Sequence, residues 1–370
     1  MKRNNFKKIV LTGGGTAGHI LPTLAVAEEI EKQAPKTKFI YIGSKYGLES
    51  KIIPGTKYQF YGISVGKLKR YWAWDNFLTL FKVFIGFFES LKILYYERPD
   101  VIFAKGGYVT VPVVIAGWFL KIPSIIHESD SILGLANKIL SVFSYRIATA
   151  YPSRYYHKKY QKKIVYAGLP IRKDFLEINK NKLYEKFDLS SKLPIVLVFG
   201  GSQGAHQINI LISKIIRKIL KNAQVIHITG DMDNEKMNQK RSRLTEDLKE
   251  RYKIFRFITD EMPDALNVAD LVISRCGANT LAEISACKKP AILIPLSTSA
   301  SNHQISNALI FQENKAAVIL NEKKIKPIEL LKKINDLISR PFLLEELGKR
   351  ANKFYRPNSA QIIAKEIINL

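Results

Sequence analysis

The stretch Ser274-Arg275-Cys276-Gly277-Ala278-Asn279-Thr280-Leu281-Ala282-Glu283 decides the fold of the second half of the chain. It follows an apolar run at residues 270–273 and opens a helical pattern that carries Glu283 in about its second turn. This order predicts a strand, a glycine turn and a helix start, which is how a parallel sheet offers backbone N–H groups to an anion. The carboxylate of Glu283 would repel a phosphate but suits the two hydroxyls of a ribose. We therefore interpret the stretch as part of a nucleotide-sugar site.

Alternating strand and helix patterns extend from this stretch in both directions. Apolar runs typical of buried strands occupy residues 8–11, 38–43, 100–106, 124–127, 146–149 and 163–166 in the first half, and residues 194–199, 224–229, 253–255, 270–273, 291–294 and 316–320 in the second. Helical patterns between the runs predict parallel, doubly wound sheets. We expect an α/β protein with two tandem Rossmann-like domains that face a cleft.

A polar, lysine-rich segment interrupts the alternation between residues 168 and 192 and marks a domain boundary. Residues 1–168 are predicted to form a first domain, which brings the acceptor and contacts the membrane. Residues 169–356 are predicted to form a second domain that binds the nucleotide sugar. A last helix within residues 357–370 could cross back and complete the first domain.

The charge balance predicts a polyanionic partner. The 370 residues include 58 Lys and Arg against 32 Asp and Glu, a formal charge of +26, which favours nucleic acid or an anionic membrane surface. We expect no nucleic-acid partner, because no recognised motif is present and the aromatic side chains cluster on an apolar helix. No signal peptide and no apolar run of roughly 18 residues is evident, so we expect a cytoplasmic chain. Cys276 and Cys287 are predicted to be buried thiols.

Three glycine-rich loops follow predicted strands. They are Gly13-Gly14-Gly15-Thr16-Ala17-Gly18-His19, Lys105-Gly106-Gly107-Tyr108-Val109-Thr110 and Gly200-Gly201-Ser202-Gln203-Gly204-Ala205. Open parallel sheets bind ligands at the carboxyl ends of their strands, and glycines let the backbone approach an anion closely. His19 ends the first loop, where it can accept a proton near neutral pH. Packing or helix capping is the alternative role for this histidine.

Two further clusters carry carboxylates. His127-Glu128-Ser129-Asp130 ends a first-domain strand and could orient a base or hold a sugar hydroxyl, or it could be a solvated loop that caps the helix near Leu133. Asp231-Met232-Asp233 matches the Asp-x-Asp pattern of metal-dependent sugar transferases. Because that pattern lies in a polar run, we expect no metal, and we expect no cofactor.

An aromatic and basic stretch at residues 67–96 is predicted to lie on a membrane surface. Its helix is apolar almost all round, whereas a core helix needs only one apolar face. Lys82, Glu89 and Lys92 would each cost roughly 2.5–3.5 kcal/mol at a bilayer centre, so the helix should lie in the interface and not span it. A core helix is the alternative. The expected lipid contacts are Trp72, Trp74, Phe77, Phe81, Phe84 and Phe88, with Lys67, Lys69, Arg70 and Lys82 on anionic headgroups.

The motifs GGGTAGHILP, GGYVTVP, HESD, GLAN, GGSQGAHQIN, SRCGANTLAE and HQISNA occur in this order. Together they resemble the MurG family, the peripheral membrane N-acetylglucosaminyltransferases of peptidoglycan synthesis, over nearly the whole chain. The resemblance implies a metal-independent fold of the GT-B type. It also implies inverting transfer of N-acetylglucosamine from its uridine diphosphate donor to the 4-hydroxyl of undecaprenyl-diphospho-muramoyl-pentapeptide, on the cytoplasmic side of the cell membrane.

The resemblance assigns roles position by position. His19 and Glu128 are the candidates for the catalytic base. The residues expected to contact the donor are Thr16, Ala17, Gly18, Arg172, Ser202, Ile258, Ala278, Asn279, Thr280, Leu281, Ala282, Glu283 and Gln304; Glu283 would bind the ribose, and residues 16–18 also line the acceptor side with His19. The residues expected to contact the acceptor are Gly14, Gly15, Gly106, Gly107, Tyr108 and Asp130. Family members often have Gly at the position of Ala17, and some have Asn at that of Asp130.

Two other functions fit parts of the pattern. A diacylglycerol glycosyltransferase of the same fold would use a different lipid acceptor. A non-catalytic membrane scaffold would keep the nucleotide site only to recruit a partner. The presence of His19, Glu283, Gln304 and three glycine loops argues against the scaffold, because a protein that only binds has no need of His19.

Overall fold

The strands in the described part of the chain form two parallel sheets. The structure is a computed structural model, and it describes residues 7–66, 75–176, 180–201 and 204–370. The chain separates into two units, the first comprising Met1–Pro170 together with Arg356–Leu370 and the second comprising Ile171–Tyr355. The predicted α/β fold class is confirmed.

The first unit has a seven-stranded sheet in the order β3-β2-β1-β4-β5-β6-β7. Its strands are β1 (Lys8–Thr12), β2 (Lys38–Ser44), β3 (Gln59–Ile63), β4 (Val101–Ala104), β5 (Ser124–Glu128), β6 (Arg146–Thr149) and β7 (Ile164–Tyr166). Its helices are α1 (Ala17–Gln33), α2 (Glu49–Ile52), α3 (Asp75–Glu97), α4 (Thr110–Phe119), α5 (Leu135–Phe143), α6 (Lys158–Gln161) and, at the end of the chain, α16 (Ser359–Ile368).

The second unit has a six-stranded sheet in the order β10-β9-β8-β11-β12-β13. Its strands are β8 (Ile195–Phe199), β9 (Gln224–Ile228), β10 (Tyr252–Phe255), β11 (Leu271–Ser274), β12 (Ala291–Leu293) and β13 (Val318–Ile319). Its helices are α7 (Lys180–Lys186), α8 (His206–Ile219), α9 (Asn234–Ser242), α10 (Glu246–Glu250), α11 (Met262–Val268), α12 (Ala278–Ala286), α13 (His303–Glu313), α14 (Pro327–Ile338) and α15 (Pro341–Asn352).

The central strands are buried on both faces, as parallel sheets require. Residues 9–11 of β1, 101–104 of β4, 195–198 of β8 and 271–273 of β11 are fully buried. The strand order reverses between β1 and β4 in the first sheet and between β8 and β11 in the second. In open α/β sheets, ligands bind at the carboxyl edge beside such a reversal. A ligand is therefore expected at the loops that follow β1, β4, β8 and β11.

Helix α16 packs on α1. Its residues Ile363 and Ile367 are fully buried in one hydrophobic cluster with Val26 and Ile30 of α1. The C-terminal helix thus takes part in the core of the first unit.

The structure differs from the sequence prediction at two places that matter here. Strand β3 has no counterpart among the predicted strands, because this edge strand mixes polar and half-buried residues around Gly62. Residues 17–19, predicted as loop, form the first turn of α1, since the chain turns helical directly after the extended N-cap residue Thr16. His19 is therefore held by a helix.

Candidate functional site

The loop between β1 and α1 is held at each of its three glycines. The Tyr41 hydroxyl donates to the carbonyl of Gly13, and His19 Nδ1 lies 2.9 Å from the carbonyl oxygen of Gly14. The backbone N–H of Gly15 donates to the carboxylate of Glu49 at 3.1 Å. Because this N–H is paired with a carboxylate, Gly15 does not offer it to an anion, unlike a free glycine loop.

His19 has the geometry of a neutral acceptor. Burial, and then the positive charge of Lys105, lower its pKa from 6.5 to about 4, although the hydrogen bond with Gly14 opposes this shift. A carbonyl only accepts, so Nδ1 carries the proton and Nε2 keeps its lone pair. The described residues give Nε2 no hydrogen-bond partner, while the exposed Thr16 hydroxyl lies 3.1 Å from Nδ1. Nε2 can therefore take a proton from a hydroxyl.

The loop after β4 packs against the β1 loop. Gly107 has a φ of +89°, and a Cβ there would lie 2.6 Å from the carbonyl oxygen of Gly14, so a side chain does not fit. A Cβ on Gly15 would lie 3.2 Å from the ring of Tyr108. The structure thus brings together five predicted acceptor residues beside His19: Gly14, Gly15, Gly106, Gly107 and Tyr108.

Glu128 is occupied by contacts within the chain. Its buried carboxylate accepts hydrogen bonds from the backbone N–H groups of Asp130 and Gly134, at 2.9 and 2.8 Å, and from the side chain of Asn137 at 2.9 Å. Gly134 is the residue directly before α5, so the carboxylate stabilises the start of that helix. Burial, and then the charge of Asp130, raise the pKa of Glu128. The hydrogen bond with Gly134 agrees with the capping part of the alternative for this cluster, whereas the burial of Glu128 does not agree with a solvated loop.

Lys105 is a buried lysine near this cluster, and the sequence predicts no role for its side chain. Its side chain is 1% exposed, and its Nζ donates to the hydroxyl of Ser129. Burial lowers the pKa of this lysine, and the charges of Glu128 and Asp130 oppose the shift. Because its positive charge disfavours an imidazolium, Lys105 helps to keep His19 neutral.

In the second unit, β11 leads through a turn into α12, as the opening stretch predicts. Gly277 is the N-cap residue, and Ala278, Asn279 and Thr280 form the partly buried first turn. The first N–H groups of a helix have no partner inside it. Leu281 is buried, Ala282 is partly buried, and Glu283 follows on the second turn.

The carboxylate of Glu283 has no hydrogen-bond partner among the described residues. Burial raises its pKa from 4.5 to about 7, against the lowering effect of Arg172. No hydrogen bond reaches this carboxylate from the part of the chain that the structure describes. A half-buried carboxylate left in this state is placed to accept hydrogen bonds from a ligand.

Gln304 connects the loops after β11 and β12. Its side-chain Oε1 accepts from the backbone N–H of Cys276 at 3.3 Å and from that of Leu296 at 3.0 Å. This arrangement directs Nε2 elsewhere, and the described residues give Nε2 no acceptor. Cys276 and Cys287 are both free and buried, as predicted.

An ion pair braces the same two loops. The buried Arg275 donates to the carbonyl of Ile294 at 3.0 Å and pairs with Glu322. The second oxygen of Glu322 accepts from the backbone N–H of Ser297 at 3.0 Å. The sequence alone predicts no role for Arg275, because its partner Glu322 is 47 residues away along the chain.

Arg172 is another residue predicted to bind the nucleotide-sugar donor, and its positive charge lowers the pKa of Glu283. The guanidinium lies 3.3 Å from Asp174 and 3.6 Å from Asp260, and it donates to the carbonyl of Thr259 at 3.3 Å. Ile258, which precedes Thr259, is partly buried. Arg172 therefore forms ion pairs with Asp174 and Asp260 and also lies close enough to Glu283 to affect its pKa.

The loop between β8 and α8 includes Ser202, which lies outside the described residues. Asp233, downstream, accepts hydrogen bonds from His206 Nδ1 and from Asn209, each at 2.8 Å. Asp231 pairs with Arg256. Both carboxylates of the Asp-x-Asp pattern are therefore used by side chains of the chain, and the described ranges hold no group of three or more His, Cys, Asp and Glu that could bind a metal ion.

The first unit exposes a large set of apolar side chains on three helices. On α3, Phe81, Phe84 and Phe88 are about 50–60% exposed, and α4 and α5 add five more. Ring contacts between Phe87 and Phe119 and between Trp118 and Phe143, at 5.5 and 5.3 Å, join these helices. We name the following residues the apolar patch: Phe81, Phe84, Phe88, Trp118, Phe119, Leu135, Ile139 and Val142.

The apolar patch includes three of the predicted lipid contacts, Phe81, Phe84 and Phe88 on α3, and adds exposed side chains of α4 and α5. The side chains of Trp72, Trp74 and Phe77 lie outside the described residues, as do Lys67, Lys69 and Arg70. In the described part of the chain, no helix is long and apolar enough to cross a membrane.

Comparison with known proteins defines the class of protein. The model of the glycosyltransferase family 28 N-terminal domain matches residues 9–149, and that of the glycosyltransferase family 28 C-terminal domain matches residues 195–363. The chain therefore belongs to glycosyltransferase family 28, and it is a glycosyltransferase.

Individual relatives show which members of the family the chain is similar to. The UDP-N-acetylglucosamine--N-acetylmuramyl-(pentapeptide) pyrophosphoryl-undecaprenol N-acetylglucosamine transferase of Clostridium botulinum (strain Langeland) is 42% identical over 334 residues, 90% of this chain and 91% of the relative. The transferase of the same name from Clostridium perfringens (strain SM101) is also 42% identical, over 89% and 90%. The crystal structure of Acinetobacter baumannii MurG, 24% identical, shares the fold with a TM-score of 0.78 over 98% of this chain and 100% of that chain. The predicted resemblance to the MurG family is confirmed.

Proposed function

We propose that the chain transfers N-acetylglucosamine from UDP-N-acetylglucosamine to the 4-hydroxyl of undecaprenyl-diphospho-N-acetylmuramoyl-pentapeptide, with inversion at the anomeric carbon. The observation that carries the proposal is the carboxylate of Glu283 at the carboxyl edge of the second sheet, which has no hydrogen-bond partner in the part of the chain that the structure describes. Relatives at 42% identity bear the name of this transferase. The product would be the lipid-linked disaccharide precursor of peptidoglycan.

The donor binds to the second unit. Glu283 accepts hydrogen bonds from the two ribose hydroxyls, and these bonds are strongest while its carboxylate is ionised. The free N–H groups at the start of α12 and the Nε2 of Gln304 donate to oxygen atoms of the nucleotide. Arg172, together with Ser202, holds the diphosphate.

The acceptor hydroxyl is activated in the first unit. Nε2 of His19 removes the proton of the 4-hydroxyl while its oxygen bonds to the anomeric carbon and the bond from that carbon to the UDP oxygen breaks. The charge that develops on the departing UDP is stabilised by Arg172 and by backbone N–H groups. These roles need no cofactor. Glu128 stays the second candidate for the base, but its three hydrogen bonds within the chain favour His19.

The acceptor's lipid explains the apolar patch. An acceptor with an undecaprenyl chain stays at the membrane surface, so the protein must bind there as a peripheral protein on the cytoplasmic side. The apolar patch supplies insertion into the interface, and the charge of +26 supplies attraction to anionic lipid. This use of the charge requires no nucleic-acid partner.

The test is a transfer assay with radiolabelled UDP-N-acetylglucosamine and defined lipid acceptors in vesicles. We expect label in the undecaprenyl-diphospho-muramoyl-pentapeptide and none in diacylglycerol. Labelled diacylglycerol would instead assign the rival glycosyltransferase function. Donor binding without transfer to either acceptor would favour the scaffold.

A further inference from the structure

Glu49 is a charged residue buried beneath the β1 loop. It is the first residue of the one-turn helix α2, and it is 0% exposed. Its Oε2 accepts from the backbone N–H of Gly15 at 3.1 Å, and its Oε1 accepts from the backbone N–H of Ser44 at 2.9 Å. Fully buried glutamates are rare unless they are paired. This one connects the loops after β1 and β2 at the carboxyl edge of the sheet.

Three glycines keep the space that Glu49 occupies. A Cβ on Gly14 would lie 2.2 Å from Oε1 of Glu49, and one on Gly47 would lie 2.5 Å from its Cδ. A Cβ on Gly43 would lie 2.6 Å from its Cγ. Real Cβ contacts do not approach this closely, so each glycine leaves room for this one side chain.

The contacts of Glu49 lead to His19 in two steps. Glu49 fixes the N–H of Gly15, and the neighbouring carbonyl of Gly14 is the partner of His19 Nδ1 at 2.9 Å. We infer that Glu49 is a positioning residue that holds the β1 loop and, through Gly14, orients the imidazole of His19 for proton transfer. This inference rests on the role proposed above for His19.

The pairing of the Gly15 N–H with Glu49 also bears on which part of the acceptor the β1 loop contacts. The Gly15 N–H is used by a carboxylate, and the negative charge of Glu49 lies directly beneath the loop. Both features oppose a diphosphate at this point. The Gly15 end of the loop should therefore meet the uncharged sugar of the acceptor, whose hydroxyl His19 deprotonates.

The pKa of His19, measured in the intact protein, tests the inference without any acceptor. The chain has six histidines, so the resonance of His19 can be assigned in histidine-labelled protein by its loss in His19→Ala. Burial and the Lys105 charge hold the pKa of His19 near 4, and buried His127 also faces it. When Glu49→Gln releases the loop, water should reach the ring, and its pKa should rise by at least about one unit toward 6.5. The direct loss of the negative charge of Glu49 would instead lower the pKa of His19, so the sign of the shift separates the two effects.

Kinetics provide the second readout. In Glu49→Gln we expect kcat to fall about 10- to 100-fold, because a misplacement of about 1 Å costs up to that much. The donor KM should stay within about twofold, since the donor binds to the other unit. Gly47→Ala should produce the same fall in kcat at a nearly constant donor KM, because the new Cβ would displace the carboxylate of Glu49 without changing the β1 loop. This variant replaces Glu49→Gln if Glu49→Gln does not fold.

The matched control is Glu97→Gln. Glu97 also joins two strands of this sheet, through Lys8 at 2.7 Å and Tyr61, but not at the β1 loop. It should leave the pKa of His19 and kcat unchanged. If Glu49→Gln and Gly47→Ala are folded and His19 titrates as in the parent protein, Glu49 is not a positioning residue. A parent protein that transfers no sugar would overturn the proposed function, while the His19 titration would still decide the role of Glu49.

Discussion

The β1 loop of the first unit and the start of α12 in the second unit are both glycine turns at the carboxyl edge of a parallel sheet, yet they differ in how their polar groups are paired. In the β1 loop, one backbone group of each of the three glycines is paired: the carbonyl of Gly13 with Tyr41, the carbonyl of Gly14 with His19, and the N–H of Gly15 with Glu49. At α12, Glu283 and the Nε2 of Gln304 lack partners among the described residues. We infer that the β1 loop is ordered by the chain itself before a substrate binds, whereas the start of α12 would gain its missing partners from the proposed donor.

The largest effect should come from His19, the proposed base. His19→Ala should lower kcat by about two to four orders of magnitude, the usual contribution of a positioned base. Donor binding should change little, because the proposed donor contacts lie in the second unit. Single-turnover rates and calorimetric UDP binding would measure the two effects separately.

A matched control for this variant is His157→Ala. His157 is exposed in the same unit and caps the short helix α6, so its loss should leave kcat unchanged. If His19→Ala weakens acceptor binding but keeps kcat, the histidine is a substrate contact, and the base must be sought at Glu128.

Glu283 should produce the next largest effect, because it belongs to the site that the ligand completes. A hydrogen bond to a charged group is worth about 1.5–3 kcal/mol, so Glu283→Ala should raise the donor KM at least about 10- to 100-fold. Initial rates at varied donor concentration measure this. The exposed carboxylate Glu313 supplies the control variant Glu313→Ala, which should behave like the parent. An unchanged donor KM in folded Glu283→Ala protein would remove the basis of the proposed function.

The pH dependence sharpens this prediction. Burial raises the pKa of Glu283 to about 7, and the ionised carboxylate accepts hydrogen bonds from the ribose hydroxyls more strongly than the neutral carboxyl group does. Donor affinity should therefore be full above pH 8 and fall about tenfold by pH 6, as one proton binds. The slope should disappear in Glu283→Gln. A slope that survives this substitution would belong to another group.

The two sites also differ in what could be predicted from sequence. At α12, strand, turn, helix and carboxylate follow one another within ten residues, so the local pattern contains most of the site. In the β1 loop, the motif shows His19 and the glycines but not Glu49, which lies in an unpatterned segment and meets Gly15 only when β1 and β2 pair. Lys105 escapes in the same way, because burial of a lysine leaves no mark in the sequence.

The fold followed the same rule. Buried strands with continuous apolar runs were predictable, whereas the edge strand β3 was not, since half-buried residues show no clear period. Helix α3 was recognisable because its apolar residues surround the helix. The contributions of Trp118 and Val142 to the apolar patch were not, because exposure depends on which faces α4 and α5 leave uncovered.

A smaller effect is expected at the apolar patch. Trp118→Ser with Phe119→Ser should lower the fraction that sediments with anionic vesicles several-fold, because aromatic insertion is lost. Salt at 1 M should weaken vesicle binding of the parent without abolishing it. The Debye length is then about 3 Å, so only the electrostatic contribution to binding is suppressed. Phe342→Ser, which removes an aromatic residue that is 75% exposed in the second unit, is the control and should sediment like the parent. Full sedimentation of the double variant would place the membrane surface elsewhere.

The smallest expected effect is that of a chelator, and it tests whether the second site is completed by the donor alone. In the Asp-x-Asp segment, Asp233 accepts from His206 and Asn209, and Asp231 pairs with Arg256. A cation would have to displace these partners to bind there, whereas Arg172 and the helix N-terminus can stabilise the diphosphate directly. Transfer activity should therefore persist in EDTA. Loss of activity that magnesium or manganese restores, and that Asp231→Asn with Asp233→Asn reproduces, would make these carboxylates metal ligands and would mean that the second site needs a cation as well as the donor.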